Sequence, residues 1–218
     1  MVLSKTFFLV ALSLSAVTAL PSTLVAGPSS GCSAIHVITA RASTEAPGEG
    51  IIGAVVSSVV QGSSQNVSRE SVDYPATVAN YDSSESLGVT DMENKLAAKA
   101  GSCPDTKIVL MGYSQGAQVT GDTMVAQGAG VSQVAAVILM GDPAHVAGES
   151  FQKGTANNQN GIFPRSNNGL EQFSDKIASF CDIGDEFCAS GASLAVHLGY
   201  VQEYGSQATA FVLGRIGE

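Results

Sequence analysis

Residues 107–125 restrict the possible folds of this chain more than any other stretch. Lys107-Ile108-Val109-Leu110-Met111 is an apolar run of strand length, and residues 117–125 read as a helix. Between them stands Gly112-Tyr113-Ser114-Gln115-Gly116. A G-x-S-x-G joining a strand to a helix is the pattern of a nucleophile elbow. Such a turn is tight, its backbone is strained, and its neighbours press close. A Cβ at either glycine would clash, so positions 112 and 116 must lack one. The turn lifts Ser114 Oγ clear of the sheet. It also leaves the N–H of Gln115 at a helix N-terminus, where a developing oxyanion can be held.

A strand feeding a helix in this way predicts a parallel sheet, and the rest of the chain repeats the alternation. Residues 34–42 read as the first strand, with residues 41–48 forming a polar loop at its end. Residues 51–60 read as a helix and 61–68 as a Gly/Ser/Asn/Gln loop. Residues 72–76 read as a short strand stopped by Pro75, and 81–88 as a Ser-rich loop. Residues 89–100 form a helix with Met92, Leu96 and Ala100 on one face, ended by Gly101. After the elbow helix, residues 134–140 are a continuous apolar run, a buried strand. Residues 145–169 make the longest irregular region, 176–180 a last strand, and 198–216 a terminal helix. This alternation predicts a parallel sheet covered by helices on both faces. Ligands bind such sheets at the C-terminal strand ends. The 41–48 loop, the elbow, Asp142 and the Cys181–Cys188 loop all leave strands there.

The length of 218 residues suits one domain, here 32–218, and 44% hydrophobic against 13% charged residues is a globular composition. A net charge of −9 without any basic run argues against nucleic acid or an anionic membrane surface as partner. At the N-terminus, Lys5 precedes an apolar stretch over 7–14, and Val17 and Ala19 suit the −3 and −1 positions of a cleavage site. Residues 1–19 therefore read as a secretory signal peptide, too short to span a bilayer, with 20–31 as a flexible leader. Secretion would place Cys32, Cys103, Cys181 and Cys188 in an oxidising compartment, where four cysteines imply disulfides and allow three pairings. Cys181 and Cys188 are near enough in sequence to close a small loop. Their spacings, with three scattered histidines, fit no zinc site, and chemistry on a nucleophilic serine needs neither metal nor organic cofactor. Asn66-Val67-Ser68 is a glycosylation sequon. Nothing in the sequence suggests a dimer seam, so a monomer is expected.

A nucleophilic serine needs a base, and the base needs an orienting carboxylate. His36 lies inside the first strand and reads as structural. His197 follows an acidic loop, and the order serine, acid, histidine suits α/β esterases. Asp182, Asp185 and Glu186 in that loop are all candidates for the acid, and a disulfide there would hold the chosen carboxylate still. Asp142 with His145 forms the rival pair. Ser43, just past the first strand, is a candidate second oxyanion donor through its backbone N–H, with its hydroxyl as a further possibility. Leu194 and Val196, just before His197, are candidates to line the acyl site.

Several separated segments occur in a recognisable order: Cys103-Pro104-Asp105-Thr106, residues 112–118, Met140-Gly141-Asp142-Pro143, residues 181–188, and residues 197–205. Together they resemble the cutinase and acetylxylan esterase family of secreted serine esterases, from Gly31 onward. The resemblance implies a lidless α/β-hydrolase fold, a three-layer α/β/α sandwich with a central five-stranded parallel sheet. It implies Ser114 as nucleophile, His197 as base, Asp185 as acid, and the N–H groups of Ser43 and Gln115 as the oxyanion hole. It also pairs Cys32 with Cys103 and Cys181 with Cys188. The substrate would be acetylated xylan or a cutin-type polyester. The 140–143 and 202–205 segments and the polar stretch 155–168 favour the sugar ester. Four cysteines and the apolar 194–196 segment favour the aliphatic one. A non-catalytic wall-binding protein is the remaining alternative, and an intact Ser, Asp and His set argues against it.

Overall fold

A computed structural model describes residues 1–2 and 31–218; the expected signal peptide and leader lie almost wholly outside these residues. The described residues form β1 (Ile35–Ala40), α1 (Gly53–Gly62), β2 (Val67–Ser71), α2 (Tyr81–Ser102), β3 (Lys107–Tyr113), α3 (Gln115–Ala126), β4 (Val134–Met140), β5 (Ile177–Phe180), α4 (Leu194–His197) and α5 (Tyr200–Ile216). The strands make one sheet in the order β2-β1-β3-β4-β5, and every pair is parallel.

Side chains alternate across a strand, so each central strand feeds two cores. Val109, Met111 and Tyr113 of β3, with Ala136, Ile138 and Met140 of β4, pack under α1 and α5. Ile108, Leu110, Val137 and Leu139 point the other way, against Met92 and Leu96 of α2 and Val119 and Met124 of α3. Burial on both faces explains why these strands are unbroken apolar runs. Among the described residues no helix is long and apolar enough to cross a membrane.

Two predicted elements differ from the structure. The second strand is Val67–Ser71, not 72–76, and it begins inside the predicted 61–68 loop. It is an edge strand paired only with β1, so its polar residues can face outward. Val72 and Tyr74 are buried but lie in an irregular segment after the strand. The predicted loop 81–88 is the start of α2. Its Ser84 and Gly88 are buried because they meet the elbow helix closely. A Cβ on Gly88 would lie 2.7 Å from Val119 Cγ2.

His36 is structural, as its place in β1 predicted. Its Nδ1 meets Ser68 Oγ at 2.7 Å and its Nε2 meets Glu70 Oε1 at 2.7 Å. Asn66 of the sequon is exposed just before the edge strand. The cysteines pair as Cys32–Cys103 and Cys181–Cys188. The first bond ties the start of β1 to the approach of β3; the second closes the acidic loop after β5.

Candidate active site

The sheet delivers Ser114 as the elbow pattern predicts. β3 ends at Tyr113 and α3 begins at Gln115, which leaves Ser114 alone in the turn with φ 54°. Positive φ strains a residue that carries a Cβ, and the packing around the turn maintains it. A Cβ on Gly112 would run into the Gly116 carbonyl, and one on Gly116 into the Ala40 carbonyl. Both glycines are therefore fixed by close backbone approach. The Ser114 N–H donates to Met140 O at 2.8 Å, tying the turn to the end of β4.

His197 reaches Ser114 from α4. Its Nε2 lies 2.9 Å from Ser114 Oγ and its Nδ1 2.9 Å from Asp185 Oδ2. The carboxylate at Nδ1 holds the proton there, leaving Nε2 to accept from the serine hydroxyl. Tyr113 Oη donates to the His197 carbonyl, so the strand before the elbow also anchors the imidazole's backbone. Phe187 packs edge-on to the imidazole with ring centres 4.5 Å apart.

Asp185 is fully buried and accepts four hydrogen bonds. Oδ1 takes the N–H groups of Phe187 and Cys188 at 2.6 and 2.9 Å; Oδ2 takes His197 Nδ1 and, at 2.6 Å, Tyr200 Oη. Burial alone would push this carboxyl up. The bond and charge from His197, then the Tyr200 and Cys188 donors, outweigh burial and hold it below the usual carboxylate range. The other two acids of the loop do different work. Asp182 Oδ1 accepts from the backbone and hydroxyl of Thr155 and from Tyr204 Oη. Glu186 is exposed.

The rival pair does not form. Asp142 binds Arg165 at 2.6 Å and the Ala144 N–H at 2.9 Å. His145 is buried against Glu149 at 2.8 Å and the Ala156 carbonyl at 3.1 Å. Both ring nitrogens face acceptors. Burial opposes the charge, but the Glu149 carboxylate and that carbonyl prevail and hold the imidazole above its ordinary range.

Ser43 and Ser114 line one cleft, and Gln115 sits at the head of α3 beside it. Among the described residues neither the Ser43 nor the Gln115 backbone N–H finds an acceptor. The loop that presents Ser43 is braced from within. Buried Arg41 donates to the carbonyls of Glu45 and Tyr74, at 2.9 and 2.5 Å, and Glu45 accepts the N–H groups of Ala42 and Ile51 at 2.7 Å each. The Gln115 side chain is locked between Ser84 Oγ and the Thr77 carbonyl, both at 3.1 Å. Arg41 and Glu45 carry no sequence signature beyond charge in a polar loop, and sequence reasoning passed over them.

The cleft holds about 450 Å³ and leaves Ser114 partly exposed. Its apolar lining is Val78, Tyr81, Ile162 and Phe163, with Phe187, Leu194 and Leu198 beside His197. Leu194 lines it. Val196 does not: it packs against the core under α1 and α5. Residues two apart in a helical turn face opposite sides, so the cleft takes 194 and the core takes 196. The 155–168 stretch also differs from its polar reading. Thr155 binds Asp182 and Asn160 caps Ala147, while Ile162 and Phe163 face the cleft.

A serine held at positive φ on a parallel sheet, in line with a histidine and a buried acid, is an arrangement of the α/β hydrolases, and this chain is a carboxylic ester hydrolase of that class. It belongs to the cutinase family, whose model, described as Cutinase, matches residues 31–216. The chain is 35% identical over 209 residues to acetylxylan esterase 2 of Talaromyces purpureogenus, spanning 85% of this chain and 88% of that one. It is 31% identical over 207 residues to cutinase 11 of Verticillium dahliae, spanning 85% and 70%. A solved acetylxylan esterase structure, at 0.90 Å resolution, superposes with a TM-score of 0.80 at 35% identity, covering 85% of this chain and all of that one.

Proposed function

We propose that the chain is a secreted serine esterase that removes acetyl groups from acetylated xylan, with Ser114 as nucleophile, His197 as general base and Asp185 as orienting acid. The observation that carries this reading is the row from Asp185 Oδ2 through His197 to Ser114 Oγ, with both links at 2.9 Å. His197 Nε2 takes the serine proton as Oγ attacks the ester carbonyl. The Ser43 and Gln115 N–H groups hold the tetrahedral oxyanion. His197 then gives the proton to the leaving alkoxide, so the sugar hydroxyl departs and an acetyl-enzyme remains. Water repeats the sequence, releasing acetate and restoring Ser114. Loss of one oxyanion donor costs on the order of 10²–10³ in rate in such enzymes. The acetyl substrate is supported by the identity to acetylxylan esterases on both sequence and structure. The two disulfides support secretion, with residues 1–19 as the signal peptide and 32–218 as the catalytic domain.

A second reading is favoured by one observation. The mouth of the cleft carries Val78, Leu194 and Leu198 at 65%, 50% and 58% exposure, an apolar rim suited to an aliphatic chain such as a cutin-type polyester. Acetate release from acetylated xylan, run beside hydrolysis of p-nitrophenyl esters of increasing length, decides between the two. The first reading predicts acetate release and a maximum at two carbons. A preference for eight or more carbons, with no acetate from xylan, assigns the aliphatic substrate instead.

A further inference from the structure

Asp185 is held by more than the row requires, and the extra contact comes from α5. Two backbone N–H groups fix Oδ1, but they leave the carboxylate free to rock about that oxygen. Oδ2, the atom that faces His197, is pinned by Tyr200 Oη at 2.6 Å, closer than His197 Nδ1 itself at 2.9 Å. We propose that Tyr200 is a positioning residue for the catalytic row, its hydroxyl fixing where Asp185 Oδ2 stands and how much of its charge reaches His197. The inference rests on the Ser114–His197–Asp185 reading above.

The tyrosine is itself immobilised. It is fully buried, and its Oη accepts the Asp182 N–H at 2.9 Å, so its own proton is directed at Asp185. Its ring stacks on Tyr204 at 6.2 Å and lies edge-on to the His197 imidazole at 6.3 Å. Burial first, and then the Asp185 carboxylate, push its ionisation far above the ordinary tyrosine range, so it remains a donor throughout the working pH range. A tyrosine needed only for packing would gain nothing from this hydroxyl. Phenylalanine would fill the same space, and burying a hydroxyl without partners is costly. Here the hydroxyl is one of four donors to a buried carboxylate, and such charge-assisted bonds are among the stronger ones. It also shares the Oδ2 lone pairs with His197. Without it Oδ2 is both looser and richer in charge. Its undivided charge draws the Nδ1–H proton closer, while the looser carboxylate holds the imidazole less often in line with Ser114 Oγ, and kcat falls.

Tyr200→Phe tests this. Tyr200 does not line the cleft, so KM for p-nitrophenyl acetate stays within about twofold while kcat falls about 10-fold, the scale of one lost hydrogen bond to a charged group. Proton NMR supplies a readout that packing would not move. The unchanged protein should show two exchange-protected low-field protons, one coupled to imidazole ¹⁵N and one uncoupled, from Tyr200 Oη–H. The variant should lose the uncoupled line and shift the coupled one further downfield. A folded variant with kcat within twofold of wild type, or with an unmoved ¹⁵N-coupled line, overturns the inference. If the variant fails to fold, the unchanged protein decides: absence of an uncoupled low-field proton overturns it. Ser114→Ala separates the two levels. If that variant keeps its activity, the row is not catalytic and this inference falls with it. If it is inactive while Tyr200→Phe is unimpaired, the role of Tyr200 alone is refuted.

Discussion

Gly141 should matter to activity although it contributes no functional group to the row. It follows β4 with φ +64°, and a Cβ placed on it would lie 2.8 Å from His197 Cε1, 2.9 Å from His197 Nδ1 and 3.0 Å from Tyr200 Cε2. Carbon atoms pack at about 3.5–4.0 Å, so the imidazole would have to retreat by roughly half an ångström or more. That ring is held at 2.9 Å on both sides, and catalytic misplacement of 1 Å can cost about 10²-fold in rate. Gly141→Ala should therefore lower kcat for p-nitrophenyl acetate by about 10- to 100-fold. The left-handed backbone adds roughly 1–2 kcal/mol of destabilisation. Gly148→Ala is the control. Its φ is +85°, but nothing lies within 4 Å of the added Cβ, so it should carry the backbone penalty and leave kcat unchanged. Urea unfolding and initial rates on both variants separate strain from steric displacement. A folded Gly141→Ala enzyme with kcat within threefold of wild type refutes the reasoning.

His145→Ala should keep kcat within a few-fold, since the residue faces Glu149 and not Asp142, yet it should lose about 3 kcal/mol in urea unfolding because Glu149 is left buried without its partner. Arg165→Met should be more damaging to stability, by about 3–5 kcal/mol, because it strands the Asp122 and Asp142 carboxylates that Arg165 joins at 2.6 Å each. Stability should also fall as pH rises from about 4.5 to 7. Burial, then the neighbouring Asp122 charge, lift the Glu85 carboxyl to about 7, so the folded chain keeps a proton that the unfolded chain releases. Allowing for solvent screening, the loss is on the order of 1–2 kcal/mol, and Glu85→Gln should remove that part of the slope in urea midpoints measured across the range.

The sheet and the row were legible because both depend on local patterns. Buried parallel strands must be apolar throughout, so β3 and β4 announce themselves. The elbow must carry glycines at fixed offsets, so Ser114 does too. Asp185 was separable from Asp182 and Glu186 only through resemblance, because three acids within five residues look alike until the loop is folded. What the sequence hid was set by long-range contact. Ser84 and Gly88 look like loop residues but belong to a helix that needs small side chains where it meets Gln115 and Val119. β2 looks like a loop because an edge strand can be polar. Ile162 and Phe163 sit among glycines and asparagines, and nothing local marks them as lining the same cleft as Leu194 and Leu198, some 30 residues on.

Covalent labelling with diethyl p-nitrophenyl phosphate tests the central claim most directly. An activated Ser114 should take up one diethylphosphoryl group with release of p-nitrophenol, and activity should fall in proportion to the label. Mass spectrometry should place the adduct on the peptide containing Ser114, and Ser114→Ala should neither react nor hydrolyse esters. An adduct on another residue, or a Ser114→Ala enzyme hydrolysing at the wild-type rate, would contradict the account.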